Sequence, residues 1–155
     1  MSLESSILSL CNRVEAMAPR SRAGVSIASV DRTHLARAIF PSLPTTFQSS
    51  IRDLAMGAPY FGACTAAMDG NAIITSQDLT KEDRFDERFV EVCILHGIRS
   101  LQSRPVHGRG KHPIGTFVMG YAQPADLRDF DVTLMEFAAD AAGVLLQKHL
   151  DGELG

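Results

Sequence analysis

Two β-prone runs, Ser100–Val106 and Ile114–Tyr121, are separated only by the short stretch "HGRGKHP". Strands this close in sequence can pair only as an antiparallel hairpin, because a parallel pair needs a crossover of roughly a dozen residues or more. Gly108 and Gly110 supply the backbone freedom that a tight reversal needs. Two other readings fail on context. A metal site built on His107 and His112 needs a third and a fourth ligand, and no nearby Cys, Asp or Glu offers one. A phosphate-cradling loop places its glycines between a strand and a helix N-terminus, whereas here a strand follows. The stretch is a turn, and the chain contains an antiparallel sheet.

The rest of the chain supplies helices and further strands. Leu3, Ile7, Leu10, Val14 and Met17 recur at alternating steps of 4 and 3, which predicts an amphipathic helix with Ser2 as its cap and Pro19 just beyond its end. "RAGVSIASV" (Arg22–Val30) and His34–Phe40 read as strands joined by "DRT". A short helix is expected over Pro44–Leu54, then a loop, "APYFGACTAAMDGN", with one helical turn at Thr65–Met68. A strand at Ala72–Ser76 and a helix at Arg84–His96, stopped by Gly97, follow. The closing helix, Phe130–Leu150, has two apolar faces, one with Leu134, Phe137, Ala141 and Leu145, the other with Met135, Ala139, Ala142 and Leu146. One face can cover a sheet while the other meets a second helix. Helices before, between and after antiparallel strands make the fold α+β.

With 155 residues, 45% of them apolar and 21% charged, the chain can bury one core without staples. A formal charge of −3 gives no reason to expect nucleic acid or an anionic membrane as partner. No apolar run approaches the ~20 residues that span a bilayer. Cys11, Cys64 and Cys93 are an odd, widely spaced set without a CxxC, so neither a disulfide framework nor a zinc knuckle is expected. A reducing, cytoplasmic setting follows as the expectation.

Several short motifs then occur in a telling order: Gly62, Cys64, Thr65 and Ala66 in "GACTA"; Asp78 after a strand; "HGIR" at His96–Arg99; Ser103, Pro105 and Val106 in "SRPV"; and "GTF" at Gly115–Phe117. In this order and spacing they resemble bacterial GAF domains, and the upstream hairpin with its "PSLP" helix fits as well, so the resemblance covers about Arg22–Leu150. It implies a GAF-like, profilin/PAS-like central antiparallel sheet with the terminal helices on one face and a ligand pocket on the other. It also implies a division into an N-terminal helix (1–20), a GAF domain with its C-terminal helix (21–150) and a tail (151–155). The implied role is sensory and regulatory, without catalysis, as in two-component sensor histidine kinases. The helical ends with apolar seams lead us to expect a module of a longer signalling protein.

On that resemblance a pocket for an unspecified small molecule is expected among Phe40, Tyr60, Phe61, Cys64, Asp78, Phe89, Leu101, Ser103 and Phe117. Arg104 has two readings: pointing inward it would bind an anion in bidentate fashion, and pointing outward it would be an edge-strand charge that discourages aggregation. The alternative function is a redox enzyme resembling the free methionine-(R)-sulfoxide reductases, with Cys64 and Cys93 as its thiols, although that subgroup's "H-I-x-C-D" surroundings are absent. The signatures of bilin- and cyclic-nucleotide-binding relatives are also absent, so no cofactor is assigned. Asp83, Glu87 and Glu91 lie four apart and read as a solvated helix face. Finally, the seam Leu3, Ile7, Leu10, Val14 and Met17, together with Met135, Ala139, Ala142 and Leu146, is expected to pair two copies through a four-helix bundle.

Overall fold

A computed structural model describes residues 2–155. Six strands form one antiparallel sheet: β1 (Ser21–Ala28), β2 (His34–Ile39), β3 (Leu54–Ala55), β4 (Ile74–Ser76), β5 (Ser100–His107) and β6 (Pro113–Tyr121). Their spatial order is β3-β2-β1-β6-β5-β4. The hairpin read from "HGRGKHP" is β5–β6, which pairs from Ser100↔Tyr121 to His107↔Pro113 with a register shift at its turn end. Five helices flank the sheet: α1 (Leu3–Met17), α2 (Thr45–Ile51), α3 (Ala63–Gly70), α4 (Glu87–Leu95) and α5 (Val132–Leu150).

Local chemistry sets the helix ends. Ser2 Oγ accepts from the Ser5 amide at 3.1 Å and starts α1. Asp86 and Asp131 do the same for α4 and α5, accepting from Arg88 N at 2.8 Å and Leu134 N at 2.9 Å. Gly97, at φ 77°, follows α4 in the left-handed conformation that ends helices. The segment expected to be a loop with one turn is instead the helix α3, started by the Thr65 hydroxyl, which donates to the Gly62 carbonyl at 3.0 Å. Its small residues, Ala63, Cys64, Ala66 and Ala67, carry little periodicity, and tertiary burial rather than pattern makes it helical.

The sheet divides the interior into two cores. On one face α1 and α5 bury Leu3, Ile7, Leu10 and Val14, and Met135, Ala138, Ala142 and Leu146, against Val25, Val106, Phe117 and Met119. On the other, α2, α3 and α4 bury Phe47, Ile51, Cys64, Met68, Phe89 and Cys93 against Leu101 and Val118. Each large aliphatic side chain so buried stabilises by about 1.5–3 kcal/mol. Gly143 lets α5 approach the sheet closely, since a Cβ there would stand 2.3 Å from the His107 carbonyl oxygen.

This arrangement corrects the expectation for the helical seams. Leu3, Ile7, Leu10 and Val14 are the sheet-covering face of α1, and Met135, Ala142 and Leu146 are that of α5, so none of them is free to face a second copy. The heptad spacing is real, but its partner is the chain's own sheet.

Candidate functional site

On the face away from α1 and α5, a small apolar cavity lies between the sheet and the α2, α3 and α4 helices. Phe40, Leu43, Phe47, Ile51, Cys64, Phe89, Cys93, Ile98, Leu101 and Val118 line it, with Arg22 and Gly120 at its border. Four of the residues expected at a pocket, Phe40, Cys64, Phe89 and Leu101, are thus brought together. The cavity holds about 20 Å³, room for a single water.

Aromatic rings fill the remaining space. Phe40 and Phe47 meet edge to face with centroids 5.0 Å apart, and Phe47 packs in the same manner on His96 at 5.3 Å. Phe89 meets Phe61 at 6.0 Å and Phe85 at 5.5 Å. Two glycines make this filling possible: a Cβ at Gly24 would collide with the Phe40 ring, and one at Gly62 with the Phe89 ring.

Tyr60 and Phe61 are half-buried at the margin of this core, the Tyr60 hydroxyl donating to Asp69 Oδ2 at 2.7 Å. Ser103 lies on the same sheet face, and its Oγ is buried without a hydrogen-bond partner. The Cys64 thiol sits among the hydroxyls of Thr116, Ser103 and Ser26. Burial pushes its pKa up, and those hydroxyls offset part of the rise. Burial also pushes the Cys93 thiol up, with a lesser contribution from Cys64.

Three of the expected residues lie elsewhere. Asp78 takes a bidentate contact from Arg99, at 3.1 and 3.2 Å, and caps the 3-10 turn Leu79–Lys81. Those hydrogen bonds hold its carboxyl well below the usual range and make it a structural clamp rather than a cavity wall. Phe117 is buried in the opposite core under the terminal helices, and its neighbour Val118 is the β6 side chain at the cavity. Arg104 pairs directly across the ladder with Phe117 and therefore shares its face.

Arg104 fits neither of its two readings. It is 8% exposed, so it is no solvated edge charge, and it lies on the helix side rather than the cavity side. Its Nε donates to Gln102 Oε1 at 3.0 Å, and Gln102 in turn donates to Thr75 Oγ1 at 3.0 Å. The apolar residues missed at the cavity, Leu43, Phe47, Ile51, Ile98 and Val118, carry the same signal as any core position. Only the parity of β6 could have pointed to Val118.

The six-stranded antiparallel order, with both chain-terminal helices on one face and three short helices over an apolar hollow on the other, decides the fold class. The fold is that of a GAF domain. Solved structures agree over nearly the whole chain. The GAF domain of a two-component sensor histidine kinase from Bacillus halodurans aligns with TM-score 0.71 and 20% identity, covering 98% of this chain and 99% of that one. The GAF domain/HD domain protein from Geobacter sulfurreducens aligns with TM-score 0.72 and 15% identity over 96% and 94%. A type II free methionine-R-sulfoxide reductase from Thermoplasma acidophilum shares the fold at TM-score 0.67 and 16% identity over 94% and 93%. No family model matches the sequence, and no curated protein does. In this GAF fold, no helix among the described residues is long and apolar enough to cross a membrane.

Proposed function

We propose that this GAF fold serves as a sensory, small-molecule-binding domain of a cytoplasmic signal-transduction protein such as a two-component sensor histidine kinase, with no catalysis of its own. One observation carries the reading: β6 touches both sides of the relay. Val118 faces the cavity, while Phe117 and Met119, its flanking residues, pack beneath the terminal helices. A change in the cavity is therefore one peptide unit away from the helix layer.

With about 20 Å³ open, a ligand enters only when α2 lifts. That helix is held by the buried Phe47 and Ile51 side chains, by the Phe40 amide donating to Gln48 Oε1 at 3.0 Å, and by Thr46 Oγ1 and His96 Nε2 at 3.1 Å. A ligand that favours the lifted state shifts the population by its differential affinity for that state. The output surface is the outer side of α1 and α5. There Phe137, 53% exposed, and Val144, 56% exposed, flank a groove with Ala141 and Leu145, a face suited to a second copy of this chain.

The sulfoxide reductase reading draws on Cys64 and Cys93 lining one cavity. Both thiols are buried and held protonated, which makes them weak nucleophiles. Two measurements test the proposal together. In methyl-resolved NMR against a panel of nucleotides, amino acids, organic acids and tetrapyrroles, a ligand should move Leu43, Ile51, Leu101 and Val118 first. A panel that moves none of them overturns the sensory reading. Free thiols should stay reduced after incubation with methionine-(R)-sulfoxide, and a disulfide formed on turnover would favour the enzyme.

A further inference from the structure

A larger hollow lies on the other side of the molecule, between the β1–β2 turn, the start of β6 and the last turns of α5. Its volume is about 150 Å³, against about 20 Å³ for the filled cavity over the opposite face. Ile27, Ile114, Leu146 and Leu150 give it apolar walls. It opens to solvent beside Val30, which is 91% exposed. A hollow of this volume has room for a benzene-sized ring.

Its polar side chains are few, and the one permanent charge among them is the Arg32 guanidinium. Arg32 and His149 line it, and its lining contains no carboxylate. Arg32, held at φ 62° in the turn, donates through Nη1 to the Pro113 carbonyl, which fixes the guanidinium at the wall and leaves its other N–H groups unspent. His149 Nδ1 donates to the Leu154 carbonyl at 3.0 Å, so the imidazole is held in place rather than free to fill the hollow. Asp31, the nearest acid in sequence, is turned away, accepting from Ser29 Oγ at 2.7 Å and Thr33 Oγ1 at 2.8 Å.

We infer that this hollow is a second binding site, taking a small aromatic carboxylate whose ring fills the apolar volume and whose acid group meets Arg32. The site is separate from the cavity of the sensory reading and does not depend on it. Because Leu146, His149 and Leu150 belong to α5, a ligand here touches the terminal helix directly and biases whichever setting of that helix it fits better.

The test uses the full chain with benzoate and toluene as probes, read by methyl-resolved NMR. Benzoate should shift Ile27, Ile114, Leu146 and Leu150 while leaving Leu43, Ile51 and Leu101 in place, and toluene should reach the same methyls with roughly tenfold weaker affinity. Arg32→Met should bring benzoate down to the level of toluene. Ile114→Trp, or Ala28→Leu if the first variant folds poorly, should fill the hollow and abolish both responses. Benzoate that leaves these methyls unmoved, or moves the Leu101 set instead, overturns the site, and equal affinity for the two probes overturns the role of Arg32.

Discussion

The ring of Phe40 lies against the backbone of Gly24, so closely that a Cβ on Gly24 would stand 2.0 Å from Phe40 Cδ1. The glycine hydrogen is what allows a β1 position to carry a phenyl ring flat on the sheet, and that ring is much of what fills the cavity. Gly24→Ala should therefore cost about 1–3 kcal/mol by overpacking, and Phe40→Ala about 3–5 kcal/mol by leaving a void. The two changes share one space, so the double variant should be less destabilised than their sum. Chemical denaturation of the four proteins measures this coupling.

Arg104 is buried beneath the terminal helices, and among the described residues its side-chain partner is the neutral Gln102. Removing a guanidinium from such a place removes a desolvation cost along with one hydrogen bond. Arg104→Met, which keeps the stem and drops the charge, is expected to be neutral or stabilising within about 1 kcal/mol. Ligand-induced shifts at Leu101 and Val118 should be unchanged in that variant, since its side chain lies across the sheet from them.

Acid stability should track the Glu82 and Asp78 carboxylates. Hydrogen bonds from Arg84 hold Glu82 down to about 2 from its usual 4.5, and those from Arg99 hold Asp78 lower still. Both folded-state values lie below the unfolded ones, so the unfolded chain takes up these protons first. Their stabilisation is complete above the unfolded carboxylate range near pH 4.5 and is lost as pH falls from there through about 2. Glu82→Gln should flatten the stability profile over that window and leave its slope near neutral pH unchanged, as followed by thermal unfolding in a pH series.

Pairing of two copies should use the outer faces of α1 and α5. Phe137→Glu and Val144→Glu place a charge on exposed positions, so they should shift sedimentation towards monomer while the circular dichroism spectrum is retained. Leu10→Asp buries a charge against the sheet core and should unfold the chain instead. A parent that sediments as a monomer at tens of micromolar, with both surface variants identical to it, overturns the dimer.

Much of the architecture was written locally. The α1 boundaries follow from Ser2, the 3-and-4 spacing and the loss of pattern before Pro19, and the β5–β6 hairpin follows from two β-prone runs around paired glycines. These signals depend only on neighbours along the chain, which is why they survive without any tertiary information. The facing of side chains was different. In β5 and β6 nearly every residue is buried, because helices cover the sheet on both sides. The alternation of polar and apolar residues that reveals strand parity is therefore missing. Phe117 and Val118 look equally suited to either core, and Arg104 reads as exposed until the ladder pairs it with Phe117. The same holds for the α1 seam: a 3-and-4 spacing shows that a face is buried but not whether a sheet or a second helix buries it. Sequence by itself determined the elements, their order and the α+β class. Only tertiary structure decided which face each central residue serves, because that choice rests on packing from both sides of one sheet.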